Sequence, residues 1–231
     1  MKSKKAIIFV HIPKTGGTTI RHHIEPLCLT PINKIHFTSK EVISKIGRKD
    51  WDDLFKMTCI RDPWSRLKSF YAYRKATIKN TGRKRKNKKF ITKDAKGNKI
   101  NLNEFIGYTY EFYKKGKHPS FPKEHNFKLK LGDMTYALLD DRDELSFDHV
   151  IKFPHIEEGL KEILKIKDNF SSIENSKKLS KCLRFTSSAR MKRTDYANED
   201  KYTAESIEII SQMMKLEIEL FNFVKPEVGD L

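Results

Sequence analysis

KKAIIFVHIPKTGGTTIRHHIEPL, residues 4–27, decides the fold. Ala6 to Val10, with Ile12 after them, make an apolar run rich in β-branched and aromatic side chains, the signature of a strand buried on both faces. Pro13 cannot donate to a ladder and ends it. Gly16 and Gly17 allow backbone conformations closed to other residues and let the chain approach a ligand closely. Ile20, Ile24 and Leu27 then keep helical spacing, with Thr18 or Thr19 as the expected N-cap. A strand, a glycine loop and a helix N-terminus together turn N–H groups and a positive dipole end toward an anion. Lys14 adds a mobile positive charge. The loop is not the GxxxxGK[ST] nucleotide loop, because its lysine precedes the glycines.

The same logic recurs downstream. LFKMTCI (54–60) reads as a second buried strand, and RDPWSRLKSFYAYRK (61–75) as the helix that follows it. Asp62 is a natural N-cap and Pro63 a natural first helical residue. Leu67, Phe70, Tyr71 and Arg74 share one face. Arg61 leaves the strand at its C-terminal end, where open α/β sheets bind ligands. It offers a forked, permanently charged phosphate donor. Ser69 adds a hydroxyl about two helical turns further on. Two anion sites on one sheet edge suit a nucleoside with phosphates at both ends.

The remaining chain predicts further elements. HFTSKEVISKIG (36–47) carries a capping box, Thr38 with Glu41, and a terminating Gly47. NLNEFIGYTYEFYKK (101–115) is an aromatic-rich helix. DHVIKF (148–153) is a third strand, followed by a helix in IEEGLKEILKI (156–166). TAESIEIISQMMKLEIELFNF (203–223) reads as one amphipathic helix. Strands alternating with helices predict an α/β fold: a P-loop-like parallel sheet flanked by helices, in a single domain over 1–231.

Composition narrows the function classes. The chain has 231 residues and a formal charge of +17, with 33% charged residues. Such a balance calls for an anionic partner. Lys79–Lys99 holds ten Lys/Arg and one acid. It reads as a basic, mobile insertion at about 76–100, or a loop gripping a polyanion. It lacks the interleaved aromatics of a nucleic-acid stacking platform, so no nucleic-acid partner is expected. No apolar run is long enough to span a membrane. MKSKK leads straight into the first strand and does not read as a signal peptide. Cys28, Cys59 and Cys182 are scattered, which predicts free thiols in a reducing cytoplasm.

PKTGGTT (13–19) and RDPWSRLKSFY (61–71) resemble the two signatures of the sulfotransferases that use 3′-phosphoadenosine 5′-phosphosulfate (PAPS). The likeness is greatest to the carbohydrate O-sulfotransferases of the heparan sulfate 2-O type and their bacterial relatives. HFTSKEVISKIG, DHVIKFPHIEEGL and KYTAESIEIISQMMKLEIELFNF are similar to three further family segments, in family order. The resemblance implies that Lys14, Thr15, Gly16, Gly17, Thr18 and Thr19 cradle the 5′-phosphosulfate, with Lys14 on the bridging oxygen. It implies that Arg61 and Ser69 hold the 3′-phosphate and that Arg190 adds a donor contact. The implied acceptor is a hydroxyl, on a neutral or anionic glycan. No metal is implied. With no anchor in view, the family comparison points to a soluble, cytoplasmic, bacterial enzyme rather than a membrane-tethered one.

By segment and order, His36 matches the family's catalytic histidine. His118 and His125 flank the loop HPSFPKEH and are the alternatives, with Glu25 as a carboxylate fallback. His11 directly precedes the glycine loop and reads as bracing it. Structural or surface roles are expected for His22, His23, His149 and His155. Two positions depart from the family pattern. Phe153, Pro154 and His155 stand where relatives read F-E-N, and Glu124 stands near a common glutamine. Two rival readings are a nucleotide kinase, which needs placed Mg²⁺ ligands, and a basic RNA- or membrane-surface-binding protein.

Overall fold

A computed structural model describes residues 6–24, 36–81, 99–115, 131–165 and 200–230. Within them the packing falls into two compact units, divided after Arg61 and after Met134. Each is built from two stretches of chain.

The first unit holds the sheet. Strands β1 (Ile7–Val10), β2 (Phe55–Ile60) and β3 (His149–Lys152) lie in the order β1-β2-β3. Both pairings are parallel, as expected, with Ile7 opposite Phe55 and Met57 opposite His149. β1 stops at Val10, so His11 and Ile12 lie beyond the strand. Helices α1 (Gly17–Ile24) and α7 (Ile156–Lys165) cover one sheet face. Ile20, Ile24, Ile156, Leu160 and Ile163 meet Ile7, Phe9, Phe55, Met57, Cys59 and Ile151 there. Gly159 lets α7 approach closely, since a Cβ on it would lie 2.7 Å from the Ile151 side chain.

Helix α2 (Ser39–Ile46) carries the expected capping box, Thr38 with Glu41. Gly47 ends it at φ 85°, and a second helix not read from the sequence, α3 (Arg48–Asp53), begins at once. These helices are tied to the segment around α6 (Thr135–Leu138). Ser39 Oγ donates to the carbonyls of Ala137 and Leu138 at 3.2 and 2.9 Å. Arg48 pairs with the wholly buried Asp140 at 2.9 Å.

The second unit is helical. Helix α4 (Pro63–Thr81) starts at Pro63 as expected, and Ser65 N donates to Asp62 Oδ1 at 2.7 Å. α4 continues through Thr81, so the first residues assigned to the basic insertion are helical. Residues 82–98, the rest of that run, lie outside the described residues. Helix α5 (Leu102–Lys114) is capped by Asn101 with Glu104. Trp64, Leu67, Phe70 and Tyr71 of α4 pack with Phe105 and Ile106 of α5 and with Ile207, Ile210 and Met213. Gly107 sits inside α5 with open space where a Cβ would go. Gly107→Ala is therefore expected to stabilise the protein by about 0.5–1 kcal/mol, read from chemical denaturation.

The C-terminal segment departs from expectation. It forms two helices, α8 (Ala204–Met213) and α9 (Lys215–Phe221), rather than one. At the break, Met214 has φ −117° and ψ 23°. The cause is tertiary. In an unbroken helix Glu217 N would donate to the fourth carbonyl back; here it donates to Asp133 Oδ2 at 3.0 Å.

Candidate active site

Three strands of one parallel sheet bring their C-terminal ends to one edge, and the loops leaving them place the candidate residues. After β1 the backbone turns tightly. Lys14 has φ 73° and Gly16 φ 87°, and Thr15 between them is not in the positive region. Alternation of this kind turns successive N–H groups into one concavity, an anion-binding nest. For lysine the left-handed conformation costs about 1–2 kcal/mol. Helix α1 starts at Gly17, two residues earlier than a Thr18 cap requires, and the Gly16 carbonyl accepts from Thr19 N at 2.9 Å and Ile20 N at 3.2 Å. The expected Thr18 or Thr19 cap is therefore not formed. Thr18 is exposed, Thr19 is half-buried, and the loop runs straight into the first turn of the helix.

The loop is held from below by β2, a relation the sequence reading missed. Thr58 Oγ1 donates to Val10 O at 2.9 Å, Cys59 Sγ to Thr15 O at 2.9 Å, and Arg61 Nη1 to Lys14 O at 3.4 Å. Thr15 is wholly buried, and its own hydroxyl donates to Ile12 O at 3.0 Å. Cys59 is thus a structural thiol. Burial raises its pKa to about 12, against the Arg61 charge.

Arg61 is placed by a second contact. Its guanidinium lies over the Phe153 ring, 4.2 Å from the centroid, at the end of β3. Phe153 also approaches Gly16, where a Cβ would lie 3.3 Å from its ring and 2.4 Å from Ile156. The aromatic residue directly after β3 was the available signal for this platform.

His36 comes to the same edge. Its Nδ1 lies 3.0 Å from the His11 carbonyl oxygen, and the two rings are 4.5 Å apart. His11 is stacked on Phe9 at 5.7 Å. Desolvation, then the charges of His36, Arg21 and Lys14, lower the His11 pKa to about 3, so it stays neutral at any working pH. A Cβ on Gly17 would fall 2.0 Å from the His11 ring. Gly17→Ala is accordingly expected to displace either the ring or the helix start and to weaken anion binding at least tenfold, measured by calorimetry.

Lys14, Thr15, Gly16, Gly17, His36 and Arg61 therefore belong to one compact unit around one sheet edge. Ser69 is half-buried, two turns into α4, in the other unit. Arg190, His118, His125, Glu25 and Glu124 lie outside the described residues. Three other histidines lie elsewhere in the sheet-bearing unit. His23 is buried on α1. His149 Nε2 is 3.1 Å from Gly159 O, and the exposed His155 is 3.9 Å from Glu158. Among the described residues there is no cluster of His, Cys, Asp or Glu able to hold a metal ion, and no helix is long and apolar enough to cross a membrane.

Against known proteins, one family model matches, described as the sulfotransferase family and covering residues 1–224. No curated protein and no solved structure matches.

Proposed function

This chain belongs to the sulfotransferase family, and on that premise we propose that it moves the sulfuryl group of PAPS to a hydroxyl of a glycan, with His36 as general base. The observation that carries the reading is the nest of Lys14, Thr15 and Gly16, running into α1 and pinned to β2 beside Arg61. Oriented amides of this kind suit a phosphosulfate and cost no reorganisation when charge develops.

In the reaction the acceptor oxygen attacks sulfur in line with the bridging oxygen. The new S–O bond forms as the old one breaks, and the electron pair leaves with the 5′-phosphate. As in phosphoryl transfer, a loose transition state places charge on the leaving and peripheral oxygens. Lys14 and the first-turn amides of α1 neutralise that charge. Arg61 takes the 3′-phosphate and thereby fixes the donor's position; the family resemblance adds Ser69 to that phosphate and Arg190 as a further donor contact. His36 takes the acceptor proton on Nε2. A hydroxyl on an anionic glycan, as in the heparan sulfate 2-O type, agrees with the charge of +17.

The test is calorimetric. Adenosine 3′,5′-bisphosphate is expected to bind at micromolar strength or better and ATP·Mg²⁺ far more weakly, with Arg61→Ala costing the bisphosphate at least tenfold. Equal binding of both nucleotides returns the kinase reading. Absence of bisphosphate binding removes PAPS as the donor. Transfer of radiolabelled sulfuryl from PAPS to a panel of neutral and anionic glycans then identifies the acceptor.

A further inference from the structure

We propose that His11 is the positioning residue of the base: its carbonyl takes the Nδ1 proton of His36, and its ring, lodged between Phe9, Gly17 and His36, aims the Nε2 lone pair. The inference rests on the reading of His36 as the base.

The first half follows from hydrogen-bond chemistry. A carbonyl oxygen has no proton to give, so at 3.0 Å the Nδ1 of His36 must be the donor. A neutral imidazole with its proton on Nδ1 has its lone pair on Nε2. The backbone of His11 thus selects the tautomer that can accept a proton on the far side of the ring.

The second half follows from packing. The His11 ring is stacked on Phe9 with an interplanar angle of 20° and meets His36 at 52°. On its third side, Gly17 lies so close that a Cβ there would be 2.2 Å from Nε2. A ring confined on three sides in a close-packed setting transmits position rather than absorbing it. Gly17 is also the first residue of α1. One side chain therefore registers the base against the helix start that follows the anion nest.

Charge agrees with this role. The ionisable groups that act on His11 are His36, Lys14 of the loop and Arg21 of α1, all cationic or neutral. Together with burial they keep His11 uncharged, so it does not compete with His36 for the acceptor's proton.

Long-range ¹H–¹⁵N spectra of the full chain labelled at histidine test this, with His36 assigned by its loss in His36→Asn. In wild type, His36 is expected as the Nδ1–H tautomer when neutral, and His11 stays neutral throughout about pH 5–8. His11→Phe keeps both the wedge and the carbonyl, so the His36 tautomer should persist with near-native turnover. His11→Ala removes the wedge. His36 should then show both tautomers in exchange, and turnover should fall by as much as about 10²-fold from misplacement alone, with bisphosphate affinity less affected than turnover. An Nε2–H His36 in wild type overturns the proposal even if neither variant folds. A His11→Ala protein with an unchanged His36 spectrum and unchanged turnover overturns it as well. Failure of the underlying reading looks different: His36→Asn would keep full turnover, whatever the tautomer.

Discussion

His36→Asn is expected to lower turnover by about 10²- to 10⁴-fold, the usual worth of a positioned general base, while bisphosphate binding stays near wild type. Asparagine is the informative replacement. Its amide can still donate to the His11 carbonyl, as Nδ1 does at 3.0 Å. What it removes is the Nε2 lone pair. The donor-holding groups, Lys14, the loop amides and Arg61, are untouched, so the loss should fall on the rate and not on the calorimetric dissociation constant. Single-turnover measurement with PAPS and the acceptor found in the glycan panel separates the two. If turnover stays within tenfold of wild type, His36 is not the base, and His118 and His125 become the next positions to replace.

The second large effect concerns folding. Arg66 and Glu217 are both essentially inaccessible to solvent. Arg66 Nη2 lies 3.3 Å from each Glu217 oxygen and donates to Gly132 O at 2.8 Å. Glu217 also accepts from Met134 N. Removing one member of a buried pair leaves the other charge uncompensated, which typically costs about 3–5 kcal/mol. Arg66→Ala should show that loss in urea unfolding above about pH 7, where Glu217 is ionised. Replacing both residues with apolar ones of similar volume should cost much less.

The same pair gives a pH dependence. Burial, reinforced by Asp133, raises the Glu217 pKa from 4.5 to about 7, against the pull of Arg66 and Met134 N. A carboxyl whose folded pKa is raised binds more protons folded than unfolded. Its stabilising contribution is complete below 4.5 and is lost as pH rises through about 7. Glu217→Gln keeps an acceptor for Arg66 and does not titrate. The stability difference between wild type and Glu217→Gln should therefore shrink as pH rises across that window and level off above it. A flat difference would mean that Glu217 is ionised throughout.

Much of the site was legible because its signals are local. Pro13, Gly16 and Gly17 mark a turn through backbone chemistry alone, and Asp62–Pro63 and Thr38–Glu41 mark helix starts through side chains within one turn. Arg61 was legible by its position at a strand end. Where the reading failed, the deciding partner was distant in sequence. The Met214 break depends on Asp133, the bond beneath the loop on Cys59 reaching Thr15, and the burial of Arg66 on Glu217. Arg66 sits within the quoted stretch RDPWSRLKSFY, two residues before Lys68 and three before Ser69. Only the fold shows it turned inward. The helix start at Gly17 was misplaced for another reason: threonines at 18 and 19 are good caps, and the close approach of the His11 ring to Gly17 leaves no trace in the sequence.

The thiol of Cys59 carries a last consequence. With its pKa raised to about 12 and its S–H donating to Thr15 O, it is nearly inert while the loop is seated. Alkylation at this one position, followed by peptide mass analysis, therefore counts how often the glycine loop lifts off the sheet. A bound nucleotide that fastens the loop should slow that labelling, which makes an ordinary cysteine a clock for opening of the donor site.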